Sequence, residues 1–161
     1  MKNPLVAIMM GSQSDLPIME EASKILKDFD VVYEMKVLSA HRTPVETAQY
    51  AEELKKRGVH VVICGAGASA ALSGVVAAHT SLPVIGVPID ATTLGGIDAL
   101  LSTVQMPPGV PVGSVGIGKI GAKNAALLAL RIIAVADESM AEKLDAFKEN
   151  QKKKILEINL D

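Results

Sequence analysis

The chain has 161 residues, 49% of them apolar, enough for one domain with a substantial core. Its net charge is −2 and its aromatic content 2%, with no Trp, so it has neither the basic surface nor the stacking platforms of a nucleic-acid binder. The single cysteine, Cys64, excludes a disulfide framework; set in the apolar run Val61-Val62-Ile63-Cys64, it reads as a small buried hydrophobe.

Met1-Lys2-Asn3-Pro4 lacks the apolar stretch and cleavage site of a secretory signal, so a cytoplasmic protein is expected. The first strand is predicted over 6–10. Gly11-Ser12-Gln13-Ser14-Asp15 follows and opens a helical pattern over 16–28, with Pro17 in its first turn. A strand that passes through a glycine turn into a helix start is an anion-binding arrangement. Gly11 lets a ligand approach the backbone, the helix offers unpaired N–H groups, and the Ser12 and Ser14 hydroxyls can bond a phosphate. Asp15 has two readings, a helix cap or an acceptor for sugar hydroxyls. The segment is neither a Walker loop nor a Gly-x-Gly-x-x-Gly fingerprint.

A second strand is predicted over 31–38, and the stretch that follows it, Ser39-Ala40-His41-Arg42-Thr43-Pro44, is the most informative in the chain. Thr43-Pro44-Val45-Glu46 has the spacing of a capping box, so a helix is expected over 44–57. His41 and Arg42 then stand just before a helix and just after a strand, where open α/β sheets place their ligands. The plain alternative is an ordinary surface histidine.

A third strand over 59–64 leads into Gly65-Ala66-Gly67-Ala68-Ser69-Ala70-Ala71-Leu72-Ser73-Gly74, almost all residues with little side chain. Such a segment either cradles a planar substrate and its carboxylate on bare backbone or merely permits close packing. A helix over 71–80 and a strand over 84–87 follow. The stretch 59–89 has no Asp, Glu, Lys or Arg, yet its glycines and prolines break it into strand, loop, helix and strand, so no membrane span is expected. Thr92-Thr93-Leu94-Gly95-Gly96 and Gln105-Met106-Pro107-Pro108-Gly109 flank a helix over 96–104 and are expected at the same edge of the sheet; turn chemistry alone accounts for Pro107 to Gly109. A last strand is predicted over 115–117. This alternation predicts an α/β fold: one doubly wound, flavodoxin-like parallel sheet in a three-layer α/β/α sandwich, spanning 1–161 as a single domain.

The segment 124–136 is apolar on nearly every face, with Arg131 its only charge; either neighbouring subunits cover it, which this chain length favours, or the domain has an unusually large core. The charged segment 138–160 carries Met140, Leu144 and Phe147 at one helical stripe and is expected to dock on a partner.

His60 and His79 have no second ligand at metal-binding spacing, and no nucleophile elbow or Cys–His pairing is recognisable, so neither metal nor covalent chemistry is expected. What remains is one histidine for proton transfer, an arginine and a hydroxyl loop for a phosphate, and a small-residue cradle.

With these words in order, together with Leu82-Pro83-Val84-Ile85-Gly86-Val87-Pro88, Gln105-Met106-Pro107-x-Gly109-Val110-Pro111-Val112 and Asn124-Ala125-Ala126-Leu127-Leu128-Ala129, the chain resembles the bacterial carboxyaminoimidazole ribonucleotide mutase family of purine biosynthesis over about 5–150. The resemblance implies a homo-octamer acting on a small ribonucleotide. It implies reversible conversion of 5-carboxyaminoimidazole ribonucleotide to 4-carboxy-5-aminoimidazole ribonucleotide, without metal, nucleotide triphosphate or organic cofactor. His41 would be the general acid/base. Ser12, Asp15 and Arg42 would bind the ribose phosphate, with Ser14, Ser39, Gly65, Ala66, Gly67 and Leu72 completing the substrate site. One departure stands out: the family's Gly-Ala-Ala-His-Leu-Pro-Gly is here Ala68-Ser69-Ala70-Ala71-Leu72-Ser73-Gly74, so Ala71 replaces a histidine and Ser73 a proline. The ending Ala71-Leu72-Ser73-Gly74 is similar to the branch that carboxylates 5-aminoimidazole ribonucleotide directly with carbon dioxide, which is the alternative activity. A non-catalytic flavin or nucleotide-binding module is the alternative from another class.

Overall fold

A computed structural model describes residues 4–160 of the chain. Its centre is a parallel sheet of β1 (Val6–Met10), β2 (Tyr33–Val37), β3 (Val61–Gly67), β4 (Val84–Ile89) and β5 (Gly113–Ser114), in the order β2-β1-β3-β4-β5. That is the flavodoxin-like, doubly wound order. The helices are α1 (Leu16–Asp28), α2 (Pro44–Leu54), α3 (Leu72–His79), α4 (Ile97–Val104), α5 (Gly118–Ala134) and α6 (Glu138–Leu156).

Successive strand side chains point to opposite faces, and this divides the core in two. Val6, Ile8 and Met10 of β1, with Val61, Ile63, Ile85 and Val87, pack under α1, α5 and the start of α6. Ala7, Met9, Val62, Cys64 and Val84 pack under Ala51 and Leu54 of α2 and Leu72 and Val76 of α3. All five residues of β1 are buried, as a central parallel strand requires. Cys64 lies in this second cluster, and burial pushes its thiol pKa well up.

Three expectations change. The last strand is Gly113–Ser114, not 115–117: Val115 N–H makes one more bond, to Gly86 O at 3.1 Å, and the chain then turns into α5. The turn is tight, since a Cβ on Gly121 would lie 1.6 Å from Gly116 O. The apolar segment 124–136 finds most of its cover within the chain. Ala122, Ala125, Ala126, Ala129, Leu130 and Ile133 of α5 are buried in the first cluster, while Ile120 and Val135 stay exposed. The Met140–Leu144–Phe147 stripe also packs on its own chain, with the Phe147 and Phe29 ring centroids 5.6 Å apart. Beyond that stripe α6 leaves the body, and Ile155, Leu156, Ile158 and Leu160 are exposed. No helix among the described residues is long and apolar enough to cross a membrane.

Candidate active site

The strand order reverses between β1 and β3, so the chain leaves their carboxyl ends in opposite directions and opens a crevice there. A cleft of about 410 Å³ occupies that place, lined by Gly11, Ser12, Ser14, Asp15, the 39–42 segment, 66–69, Ala71, Leu72 and Ala91. The end of β3, the segments that follow β1, β2, β3 and β4, and the first residue of α3 supply these residues. The structure therefore brings together His41, Ser12, Ser14, Asp15, Ser39, Arg42, Ala66, Gly67 and Leu72.

After β1 the chain makes a 3-10 turn, Gln13–Asp15, before entering α1. Ser12 N–H donates to Asp15 Oδ2 at 3.0 Å, Ser14 N–H donates to Ser12 Oγ at 3.3 Å, and the Ser12 and Ser14 hydroxyls are 2.9 Å apart. Asp15 precedes α1 but makes no side-chain cap to it; its carboxylate instead accepts from the Ser12 backbone and closes the 3-10 turn. It is buried, and desolvation raises its carboxyl pKa against the opposing pull of hydrogen bonds from Ser12 and Ser14 and of the Arg42 charge. Gly11 N–H donates to Gly65 O at 3.2 Å, which ties this loop to β3.

The capping box expected at 43–46 is absent: Thr43 makes no side-chain bond to the helix. Its hydroxyl instead bonds back to Ser39. Ser39 Oγ accepts from Arg42 N–H at 3.2 Å and from Arg42 Nε at 3.3 Å, and Arg42 Nη2 donates to Gly11 O at 2.9 Å. Arg42 thereby bridges the loops after β2 and β1 while its guanidinium stays exposed. His41 is exposed on the same loop, at the cleft wall.

The opposite wall is made of small residues. Gly65 does not line the cleft; it lies behind it, where a Cβ would come within 2.2 Å of Met19 Sδ, so its bare Cα allows α1 to close on the sheet. Gly67 lines the cleft, and a Cβ there would meet Ala91 Cβ at 2.5 Å. Ala68 holds φ at +54°, a conformation that costs a non-glycine residue energy and turns the chain sharply out of β3.

Two placements differ from expectation. Gly109 and Pro111 share a separate hollow with residues 77–82, the end of α3 and the turn leading into β4, so this end of the loop after α4 lies at the amino edge of the sheet, and none of 105–109 lines the cleft. Ala91 lines the cleft although the expected loop began at Thr92; the rule that ligands sit just past strand ends, applied to the true end of β4 at Ile89, reaches it. Among the described residues no group of three or more His, Cys, Asp or Glu side chains stands together as a metal site would need.

Comparison with known proteins decides the family. The AIR carboxylase family model matches residues 5–154. The chain belongs to that family. It is 57% identical over 150 residues to N5-carboxyaminoimidazole ribonucleotide mutase of Pyrococcus abyssi, covering 93% of this chain and 85% of that one. It is 54% identical over 154 residues to the mutase of Bacillus subtilis, covering 96% and 95%. Among solved structures, Treponema denticola PurE superposes with a TM-score of 0.87 at 34% identity, covering 96% of this chain and 95% of the other. This agrees with the doubly wound fold and with the family resemblance of the sequence motifs.

Proposed function

We propose that this member of the AIR carboxylase family is a carboxyaminoimidazole ribonucleotide mutase, an isomerase of purine biosynthesis, with His41 as its general acid/base. The observation that carries the reading is the cleft itself. One polar wall bears an exposed imidazole, a guanidinium and the hydroxyls of Ser12, Ser14 and Ser39, and it faces a wall of small residues across the switch point of the sheet.

Arg42 and the Ser12 and Ser14 hydroxyls, beside the start of α1, bind the ribonucleotide phosphate. Ser39 holds the guanidinium in place, and Asp15 holds the serine loop and offers its second oxygen to a ribose hydroxyl. The heterocycle lies against Ala66, Gly67, Ala71 and Leu72. The imidazolium of His41 gives a proton to the carbamate nitrogen as its bond to the carboxyl carbon breaks, releasing carbon dioxide and leaving 5-aminoimidazole ribonucleotide. The ring carbon then attacks the retained carbon dioxide, and the neutral imidazole takes the proton from that carbon, so the enzyme returns to its starting state. An imidazole can both give and accept a proton, as the two steps require. Confinement replaces a bimolecular capture of carbon dioxide by an intramolecular one, an advantage of roughly 7–11 kcal/mol in well-oriented systems. The small-residue wall supports this, because among the residues it presents only Ser69 carries a polar side chain and none carries a charge.

The same reading takes the enzyme to be a cytoplasmic homo-octamer that works without metal or organic cofactor. Ile97, Leu101 and Val104 of α4, each about half exposed at one helical spacing, and the apolar end of α6 are the surfaces that copies of the chain would cover. Light scattering that returns a monomer would contradict the assembly.

Ala71 keeps a second activity in play, since it lines the cleft at the position where the resemblance to the bacterial mutases implies a histidine. Both substrates are compared in one assay. Fast turnover of the carbamate with poor use of 5-aminoimidazole ribonucleotide plus carbon dioxide is the expected result, and the reverse preference makes the enzyme a direct carboxylase.

A further inference from the structure

The loop that presents His41 and Arg42 is closed from behind by a hydroxyl that takes no part in the chemistry. Thr43 has the sequence position of a helix cap, but its side chain faces away from the helix. Oγ1 accepts from Ser39 N–H at 2.9 Å and donates to the Ser39 carbonyl at 3.0 Å, while Thr43 N–H donates to that same carbonyl at 2.9 Å. The backbone of Thr43, at φ −135° and ψ 56°, is not helical. Behind it, the fully buried Thr47 donates from Oγ1 to the Thr43 carbonyl at 2.7 Å, which roots Thr43 in the first turn of α2.

Only Ala40, His41 and Arg42 lie between the two clasped residues. The clasp also orients Ser39, whose Oγ receives Arg42 N–H and Nε, and Arg42 in turn reaches Gly11 O. A chain of bonds therefore runs from the buried start of α2 to the guanidinium, and each link depends on Ser39 staying where Thr43 holds it. An exposed loop without that constraint samples many conformers, and a displacement of about 1 Å at a reacting group can cost on the order of a hundredfold in rate.

We propose that Thr43 is a positioning residue: its hydroxyl clasp on Ser39 holds His41 and Arg42 in register with the substrate. This rests on the role of the cleft given above. A helix cap would stabilise α2 and leave catalysis alone, whereas a clasp acts on the loop and leaves α2 largely intact.

The test compares Thr43→Val, which keeps the shape and removes both hydroxyl bonds, with Thr43→Ser, which keeps the hydroxyl. Steady-state kinetics, thermal melting and NMR titration with inorganic phosphate are measured on the full chain. Thr43→Val is expected to lower kcat about 10- to 100-fold, to raise KM several-fold and to weaken phosphate binding, while Tm moves by only a few degrees. Thr43→Ser is expected to stay within about threefold of wild type. Wild-type kcat and phosphate affinity in folded Thr43→Val overturn the proposal, as does equal damage in Thr43→Ser. Should the valine variant not fold, Thr43→Ala is read against the same outcomes. Wild-type protein that turns over neither the carbamate nor 5-aminoimidazole ribonucleotide overturns the functional reading instead. Phosphate affinity across the three proteins then still decides the clasp.

Discussion

The two walls of the cleft are built on opposite principles. The wall after β1 and β2 is cross-tied: Ser12, Asp15, Ser39, Arg42 and Thr43 each make hydrogen bonds through a side chain, and Arg42 links one loop to the other. The wall after β3 and β4 is mostly bare backbone and methyl groups at Ala66, Gly67, Ala68, Ala71 and Ala91, with Ser69 and Leu72 beside them, kept in shape by strand pairing that runs to Gly67 and Ile89. The first wall fixes hydrogen-bonding and charged groups, the second fixes a volume. A reaction that needs a gripped phosphate and a confined, uncharged electrophile calls for both. Substitutions on the first should act through chemistry and binding, and those on the second through space.

The largest effect is expected from His41→Asn, which keeps the polarity and removes the titrating ring. The loss in kcat should be about 10²–10⁴-fold, with KM within a few-fold of wild type. Unchanged kcat in steady-state assays would assign the proton to another group and dissolve the contrast between the walls. Next comes Gly67→Ala on the small-residue wall. The new methyl meets Ala91 Cβ at 2.5 Å and the Ile89 carbonyl at 3.2 Å, so the loop after β4 must move. A stability loss of roughly 1–3 kcal/mol is expected by denaturant titration, with kcat down about tenfold, because the cleft changes shape while every group on the polar wall is retained. A variant equal to wild type in both measurements would show that this wall is filler.

Much of this could be read from the chain. The alternation of β-type runs and helical patterns gave the sheet and its class, and 6–10 and 16–28 coincide with β1 and α1, where buried periodicity and the turn at Gly11 agree. The cleft was legible because open sheets leave a crevice past strand ends, so the gathering of Ser12, Asp15, His41 and Arg42 there could be read from where strands stop. The misplacements have physical causes. β5 is an edge strand set by its pairing with Ile85 and Gly86, and the β-formers Val115 and Ile117 are spent in the turn that lets Gly121 pack on Gly116. Local pattern assigned Thr43 to the helix because capping residues and loop-closing residues are the same types; only the direction of the hydroxyl separates them. The apolar surface of α5 could not tell self-cover from subunit cover, since both bury the same side chains. Gly65, by contrast, was drawn into the substrate site with its neighbours, and only the position of Met19 shows it serving the packing of α1.

The smallest effect concerns what the polar wall costs. Asp15 is buried beneath the serine loop, and desolvation holds its pKa above the ordinary 3.8. The folded state therefore binds this proton more tightly than the unfolded chain does. The contribution is fully favourable below 3.8 and is lost as pH rises through the raised folded value. Asp15→Asn keeps an oxygen for Ser12 N–H and removes the titration, so its stability should lack that acid-range decline. At neutral pH the variant is expected to match or exceed wild type by under roughly 1 kcal/mol, since a neutral amide avoids the desolvation of the carboxylate but accepts the Ser12 bond less strongly. Melting curves for both proteins between pH 4 and pH 8 measure the difference. A variant that melts below wild type by the same margin at every pH would mean that the carboxylate stabilises this loop, and burial would not be the dominant influence on Asp15. If the variant is as stable as expected but poorly active, the ionised carboxylate is retained for the ribonucleotide at the expense of the fold, whereas the uncharged wall opposite carries no such group.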